Sequence, residues 1–283
     1  MPARRYLPAI ILGFALVTLL SAGIFHFNAQ PSRVDVVETS TGGPDSVPLR
    51  WSGLLLNKDV DIDGKQYDIR CSAQFVSPRV VLTAAHCVQD YRTGAWYDLD
   101  KMYFLLQYQD GHFAELYRPV CLSRFDGWFP AMDGIRSDAE KAQVLQRRYQ
   151  WDYAMILMDH DSPGGFFNSA VDWNGKYRNA TMIGYPYAPR INQTIQTAFG
   201  SLSFVSDRPN VVALAHQDHP GLTEGTSGGA WVSAFGKEMS AKENIIVSVS
   251  SYVNPGSPGV SFGPYLGLDY NRLFDYVSKG CPR

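Results

Sequence analysis

Short apolar segments bounded by Gly, Pro, Asn or Asp recur along this chain, and they restrict its fold more than any other feature. Segments of this length with such boundaries are typical of β-strands. Several short strands separated by turns favour a β-barrel or a β-sandwich. The predicted strands are 74–82 (divided in two at Ser77-Pro78), 102–108, 153–158, 180–184, 210–215 and 244–252. The sequence therefore predicts an all-β protein.

Two other segments have the pattern of helices. Residues 137–149 begin with Ser137 and have Glu140 three residues later, which is the arrangement of a capping box. Residues 269–279 have one apolar face and end before Gly280, a residue that commonly ends helices. We expect few helices beyond these two.

The net charge of -2 and the scattered positions of Lys and Arg give no basic patch. A nucleic-acid partner would require such a patch. The sequence therefore predicts no binding to nucleic acid.

The first 29 residues predict an export segment. Arg4 and Arg5 precede an uncharged apolar segment, 7–25, as in a secretory signal. The same segment approaches the ~20 residues that span a bilayer, so a cleaved signal and a retained membrane anchor both remain open. A buried core helix is the third interpretation, which the flanking arginines disfavour. Residues 30–48, rich in Pro, Ser, Thr, Gly and Asp, are interpreted as a linker.

The four cysteines fit an oxidising compartment. They are Cys71, Cys87, Cys121 and Cys281, and they allow three pairings. No two are spaced as CxxC, so a zinc ribbon or a thioredoxin-like motif is not supported.

The segment Gly225-Thr226-Ser227-Gly228-Gly229 has the pattern of a nucleophilic serine. A nucleophile needs an exposed hydroxyl on a tight turn, with backbone N–H groups free to hold an oxyanion. Glycines on both sides allow that turn and a close approach of the substrate. A plain Gly/Ser turn is the alternative interpretation.

His86 follows a predicted strand, in the segment Thr83-Ala84-Ala85-His86-Cys87. A lone histidine is more often structural, but Cys87 follows Cys71 by sixteen residues, and a disulfide there would fix this turn.

Asp152 directly precedes another predicted strand, in the sequence WDYAMIL. A carboxylate buried at that point needs a hydrogen-bond partner, and an imidazole N–H would serve. A solvent-facing aspartate is the alternative interpretation.

Together these three motifs resemble those of the chymotrypsin-like (trypsin-like) serine peptidases, with His, Asp and Ser in that family's chain order. Pro258-Gly259-Val260 and the C-terminal helix extend the resemblance. It implies two six-stranded antiparallel β-barrels with the active site in the cleft between them. Residues 49–283 would form this domain, with barrel 1 at about 49–165, barrel 2 at about 166–266 and the helix at 269–279.

The resemblance also implies the chemistry of a serine endopeptidase. Ser227 would attack the scissile carbonyl, His86 would transfer the proton and Asp152 would orient His86. The N–H groups of Gly225 and Ser227 would hold the oxyanion. No cofactor and no metal is implied. The expected partners are polypeptide substrates; we expect an exported monomer, with membrane contact only through an uncleaved N-terminal segment.

Other classes of function fit less well. An α/β-hydrolase needs its histidine after its serine, and all six histidines precede Ser227. The sequence lacks the HExxH motif of zincins, and His216 and His219 are interpreted as loop residues. A non-catalytic binding protein of the same family, a structural membrane protein with a peptidase-like domain and an accompanying esterase activity remain as alternatives.

Within the resemblance, Cys71–Cys87 is the predicted disulfide that accompanies the histidine motif, which leaves Cys121–Cys281 as the second. Thr226 stands where digestive members have an aspartate that pairs with a new N-terminus, so activation by such a cut is not expected. That uncharged residue and Gly184-Tyr185-Pro186 are more similar to the glutamyl-endopeptidase (V8-like) branch. The 66 residues between His86 and Asp152 indicate an insertion at 126–150, as a lid or a decoration.

The primary pocket is predicted from the same resemblance. Gly221 would lie at its base, Ser250 and Tyr252 on its wall, and Glu224 or Asp218 would enter only under another alignment. Since no charged partner is evident, we expect uncharged, small or medium side chains before the cut bond.

Overall fold

The computed structural model describes residues 45–62, 64–130, 137–187, 194–216, 224–236, 243–254 and 256–282. The proposed export segment and residues 30–44 of the linker lie outside these ranges. Two curled β-sheets form most of the structure, which confirms the predicted all-β fold. Within the described part of the chain, no helix is long and apolar enough to cross a membrane.

The first sheet has seven strands in the order β5-β4-β1-β2-β3-β7-β6. Their bounds are β1 Ser52–Ile62, β2 Lys65–Phe75, β3 Val80–Thr83, β4 Met102–Leu106, β5 Glu115–Tyr117, β6 Pro119–Arg124 and β7 Ala154–Met158. Strands β1 and β2 form a long hairpin, and β3 pairs antiparallel with β7 so that Thr83 lies opposite Ala154. This pairing places the start of the His86 motif next to the strand that follows Asp152.

The second sheet has eight strands in the order β14-β15-β11-β10-β9-β12-β13-β8. Their bounds are β8 Asn168–Ser169, β9 Asn179–Gly184, β10 Gln196–Phe204, β11 Val211–His216, β12 Ala230–Ser233, β13 Ile245–Val249, β14 Tyr252–Val253 and β15 Val260–Pro264. Strand β14 is an edge strand. The pair β8 and β13 is parallel, and the other pairs are antiparallel.

The two sheets confirm the predicted pair of β-barrels; they contain seven and eight strands rather than six each, and one pair, β8 and β13, is parallel. The excess comes from very short strands, since β5 has three residues and β8 and β14 have two each. Strands this short carry no periodic pattern that a sequence could reveal.

Among the described residues, four apolar clusters hold the sheets, and three of them are large. One fills the first sheet around Phe75, whose ring packs edge-on against Phe104 at 5.3 Å. A second fills the other sheet around Trp231. The third joins residues of both sheets to the C-terminal helix α2 (Asp269–Ser278), which buries Leu273 and Val277 in it. Burial of each large side chain stabilises the fold by about 1.5–3 kcal/mol.

The helix α1 (Asp138–Arg147) confirms the helical segment before β7, and the Ser137 hydroxyl accepts a hydrogen bond from the N–H of Glu140 at 3.2 Å. A 3₁₀ turn at Arg148–Trp151 then leads into Asp152.

Both predicted disulfides are confirmed. Cys71–Cys87 has a Cα–Cα distance of 6.1 Å, and Cys121–Cys281 has one of 6.2 Å. The first links β2 to the turn that carries His86. The second links β6 to the residues that follow α2.

Candidate active site

His86 lies on a single 3₁₀ turn, Ala85–Cys87, directly after β3. Because Cys87 is bonded to Cys71 on β2, the turn is fixed to the sheet on both sides of the histidine. The imidazole is 22% exposed, so it is held by the protein and still reachable from solvent. That combination suits a group that exchanges protons with a substrate.

Asp152 contacts His86 at two points. Its side chain is fully buried, and its Oδ2 lies 2.8 Å from Nδ1 of His86. Its Oδ1 accepts a hydrogen bond from the backbone N–H of His86 at 3.0 Å. The hydroxyl of Ser251 also donates to Oδ2. A buried carboxylate with this many donors is well satisfied.

Opposing effects act on the pKa of Asp152. Burial by itself raises the pKa, but attraction to His86 and the hydrogen bonds from His86 and Ser251 lower it, and the net pKa lies below the ordinary value. The carboxylate is therefore ionised and accepts the Nδ1 proton of His86. The other ring nitrogen, Nε2, is left as a base.

The loop that carries Ser227 is fastened to the first sheet by Ser72. The N–H of Ser72 donates to the carbonyl of Ser227 at 2.7 Å, and its hydroxyl donates to the carbonyl of Gly225 at 2.8 Å. Ser72 adjoins Cys71, which is bonded to the His86 turn. A chain of direct contacts thus connects the two predicted catalytic residues across the sheets.

Two glycines in this loop have backbone angles that favour glycine. Gly225 has φ +92° and Gly228 has φ +80°. A Cβ on Gly228 would lie 2.2 Å from Oγ1 of Thr83 and 2.7 Å from the nitrogen of Ala84, so the loop packs directly on the segment leading into His86. Only glycine permits that approach.

Backbone N–H groups in the loop differ in their partners. Those of Gly228 and Gly229 donate to the carbonyls of Ser250 and Thr226, at 2.7 and 2.9 Å. Among the described residues, no acceptor contacts the N–H of Gly225 or that of Ser227. The N–H of Ser227 and the N–H two residues before it are donors of the kind that an oxyanion requires.

The predicted pocket residues have diverse surroundings. Gly221 and Asp218 lie outside the described residues. Glu224 is exposed and lines a cavity of about 570 Å³ together with Gly225 and residues of the β1–β2 hairpin. Ser250 is buried, and its hydroxyl accepts a hydrogen bond from the indole N–H of Trp231 at 2.9 Å.

Tyr252 is half-buried on the edge strand β14. Its ring lies 4.2 Å from that of Tyr149 and 5.0 Å from that of Phe262, and its hydroxyl accepts a hydrogen bond from Arg208. The predicted insertion therefore contributes Tyr149 to the surroundings of a predicted pocket residue.

Sequence reasoning missed Ser72, Ser251 and Trp128, and the ring centroid of Trp128 lies 6.1 Å from that of His86. Ser251 adjoins Ser250 and Tyr252 in a segment identified as a strand, but its bond to Asp152 spans 99 residues. The bond from Ser72 to Gly225 spans 153 residues. No local pattern indicates partners at such separations.

Metal binding has no support in the described part of the chain. The one group there with ligand atoms close enough is Cys71, His86 and Cys87. Both sulfur atoms belong to the disulfide and are not free to coordinate a metal.

No protein-family model and no curated protein sequence matches the chain. Solved structures do match it. A thermostable serine protease AL20 from an extremophilic microorganism is 21% identical, with a TM-score of 0.60 over 81% of this chain and 97% of that one. A Glu endopeptidase is 14% identical, with a TM-score of 0.58 over 84% and 94%. An inactivated protease paralogue of the scabies mite is also 14% identical, with a TM-score of 0.58 over 84% and 97%. These similarities show that the chain has the fold of chymotrypsin-like serine proteases.

Proposed function

We propose that this protein is an exported serine endopeptidase, with Ser227 as nucleophile, His86 as general base and acid, and Asp152 as the residue that orients His86. The observation that carries the proposal is the pair of contacts between His86 and the buried, ionised carboxylate of Asp152. They direct the proton of the imidazole to Nδ1 and leave Nε2 to act on a serine hydroxyl.

The reaction proceeds by acyl transfer. Ser227 attacks the scissile carbonyl while Nε2 of His86 accepts its proton, and the N–H groups of Gly225 and Ser227 hold the oxyanion. His86 then protonates the leaving amine, and water releases the acyl group by the same steps. The same chemistry would hydrolyse an ester.

Specificity and location complete the proposal. We expect the pocket to receive uncharged, small or medium side chains before the cut bond, which cleavage of a diverse peptide library measures. A library profile dominated by Arg and Lys would contradict this expectation.

Export agrees with the two disulfides, which form in oxidising compartments.

Labelling with a fluorophosphonate reagent tests the proposal. We expect the purified protein to be labelled at Ser227 and the Ser227→Ala variant not to be labelled. Peptide hydrolysis by Ser227→Ala should fall by about 10⁴-fold or more. An unlabelled wild-type protein, with its circular dichroism intact, would indicate a non-catalytic binding protein instead.

A further inference from the structure

The segment between β6 and β7 lies against the imidazole of His86. Its first residues include Trp128, which is 1% exposed. The centroids of the Trp128 and His86 rings are 6.1 Å apart. The inserted segment therefore contributes Trp128 to the surroundings of the proposed base.

Arg148, at the other end of the same segment, packs on Trp128. Its guanidinium carbon lies 5.0 Å from the centroid of that ring, 5.4 Å from that of Tyr149 and 5.3 Å from that of Tyr91. Its Nη1 donates to the carbonyl of Tyr91 at 3.1 Å. The residue is only 9% exposed, and no carboxylate among the described residues forms an ion pair with it.

A buried cation with no carboxylate is costly unless aromatic faces compensate it. Such contacts are stronger when they are desolvated than when they are exposed. The indole N–H of Trp128 is buried without a hydrogen-bond partner in the described structure, so packing alone sets the orientation of the ring. Arg148 is the charged component of that packing, and it contacts three rings at once.

A second contact joins the two ends of the inserted segment. A Cβ on Gly127 would lie 2.3 Å from the indole of Trp151, so these two residues are in close contact. Gly127 directly precedes Trp128, and Trp151 directly precedes Asp152. The end of the segment that carries Trp128 therefore packs on the residue before the carboxylate partner of His86.

We propose that Arg148 is a positioning residue for His86, acting through Trp128. This inference rests on the proposed function. Because displacement of reacting groups by about 1 Å can cost about 100-fold in rate, we expect a smaller displacement of His86 to cost about tenfold.

The test compares Arg148→Met and Arg148→Lys with wild type, by the rate of fluorophosphonate labelling and by kcat and KM on a peptide. The small reagent reports on Ser227 and His86 without occupying extended peptide subsites. We expect Arg148→Met to be labelled about tenfold more slowly, with kcat lowered by the same factor and KM within about twofold of wild type. Arg148→Lys keeps a cation over the rings and should recover most of the rate.

Arg118→Met is the control variant. Arg118 lies between β5 and β6, outside the inserted segment, and its guanidinium carbon lies 4.9 Å from the centroid of the Tyr103 ring. We expect its labelling rate and its kcat to stay at the wild-type values. Equal slowing of both variants would mean that loss of any arginine packed on a ring slows labelling, which would overturn the proposal.

The outcomes separate the two proposals. If wild type is not labelled, the proposed function fails. If wild type is labelled and Arg148→Met is labelled equally fast, or if its KM rises with kcat unchanged, the positioning role is wrong. Should Arg148→Met not fold, Trp128→Phe carries the test: we expect slower labelling than in wild type, and a wild-type labelling rate would overturn the proposal.

Discussion

On the His86 side of the candidate site both carboxylate oxygens of Asp152 have partners, whereas on the Ser227 side two backbone N–H groups have none among the described residues. We call the first the closed region; it consists of His86, the buried carboxylate of Asp152 and the Cys71–Cys87 disulfide. We call the second the open region; it is the loop around Ser227, which contains Gly225 and Gly228. In the mechanism that we propose, this difference means that the acid–base groups are in place before substrate arrives, while the N–H groups of the oxyanion site gain an acceptor only when substrate binds.

Replacement of Asp152 by Asn should have the largest effect, because it breaks the closed region. An amide cannot hold the proton on Nδ1 in the same way, so we expect kcat/KM on a peptide to fall by about 10⁴-fold with the fold retained. The control is Asp90→Asn, which removes a buried acid that pairs with Arg92 at 3.2 Å. Its activity should stay within about twofold, and similar losses in both variants would contradict the assignment.

Gly225→Ala tests the open region. Its Cβ would lie 2.5 Å from the carbonyl oxygen of Tyr185, so the loop must shift and the Gly225 N–H must move with it. We expect kcat to fall by about 10²–10³-fold, as for loss of one oxyanion donor. Gly64→Ala also replaces a glycine of positive φ, but nothing lies within 4 Å of its Cβ, so its kcat should be unchanged. Normal turnover by Gly225→Ala would exclude the predicted oxyanion site.

The two disulfides sharpen the comparison, because only one of them supports the closed region. Replacing Cys71 and Cys87 by Ser opens a loop of 16 residues, and chain-entropy models predict a loss of about 3 kcal/mol in the free energy of unfolding. We expect this variant to have a lower kcat as well. Replacing Cys121 and Cys281 opens a loop of 160 residues, worth about 5 kcal/mol, with kcat unchanged. Urea unfolding and peptide hydrolysis measure both. The reverse pattern of activity loss would show that the closed region does not depend on its disulfide.

The pH dependence of stability gives the smallest effect. The folded-state pKa of Asp152 is below its ordinary value of 3.8, so its ionised form stabilises the fold above that pH. This contribution is lost as the pH falls through the lower folded-state pKa. Between pH 5 and pH 2, we expect the free energy of unfolding to fall more steeply in wild type than in Asp152→Asn. Parallel curves in urea unfolding would show that Asp152 is not stabilised as an anion.

Much of the fold was predictable, because local patterns carry it. Strands β3 and β7 are continuous apolar segments, and the Ser137 cap is a local hydrogen bond. Strands β1 and β10 were not predicted. In β1 the apolar residues give way to Lys58 and Asp59. In β10 the buried Ala198, Gly200 and Leu202 alternate with the exposed Phe199, Ser201 and Ser203, so neither strand forms a continuous apolar segment.

The candidate site was predictable only where a residue lies in a short motif. His86, Asp152 and Ser227 each have a motif, and they remain a prediction for the experiments above to test. Ser72, Ser251 and Trp128 act through contacts between distant parts of the chain, and their types are common in many settings. Such contacts become visible only once the sheets are assembled.

The Cys121–Cys281 bond closes more than half of the chain into a covalent ring. A single backbone cut at any point inside this ring opens it but leaves the two parts joined by the disulfide. Release of a fragment needs a second cut or a reductant. For a protein proposed to cut peptide bonds, a first cut in its own second sheet would therefore leave the molecular mass of the non-reduced protein almost unchanged, and only reduction would separate the two parts.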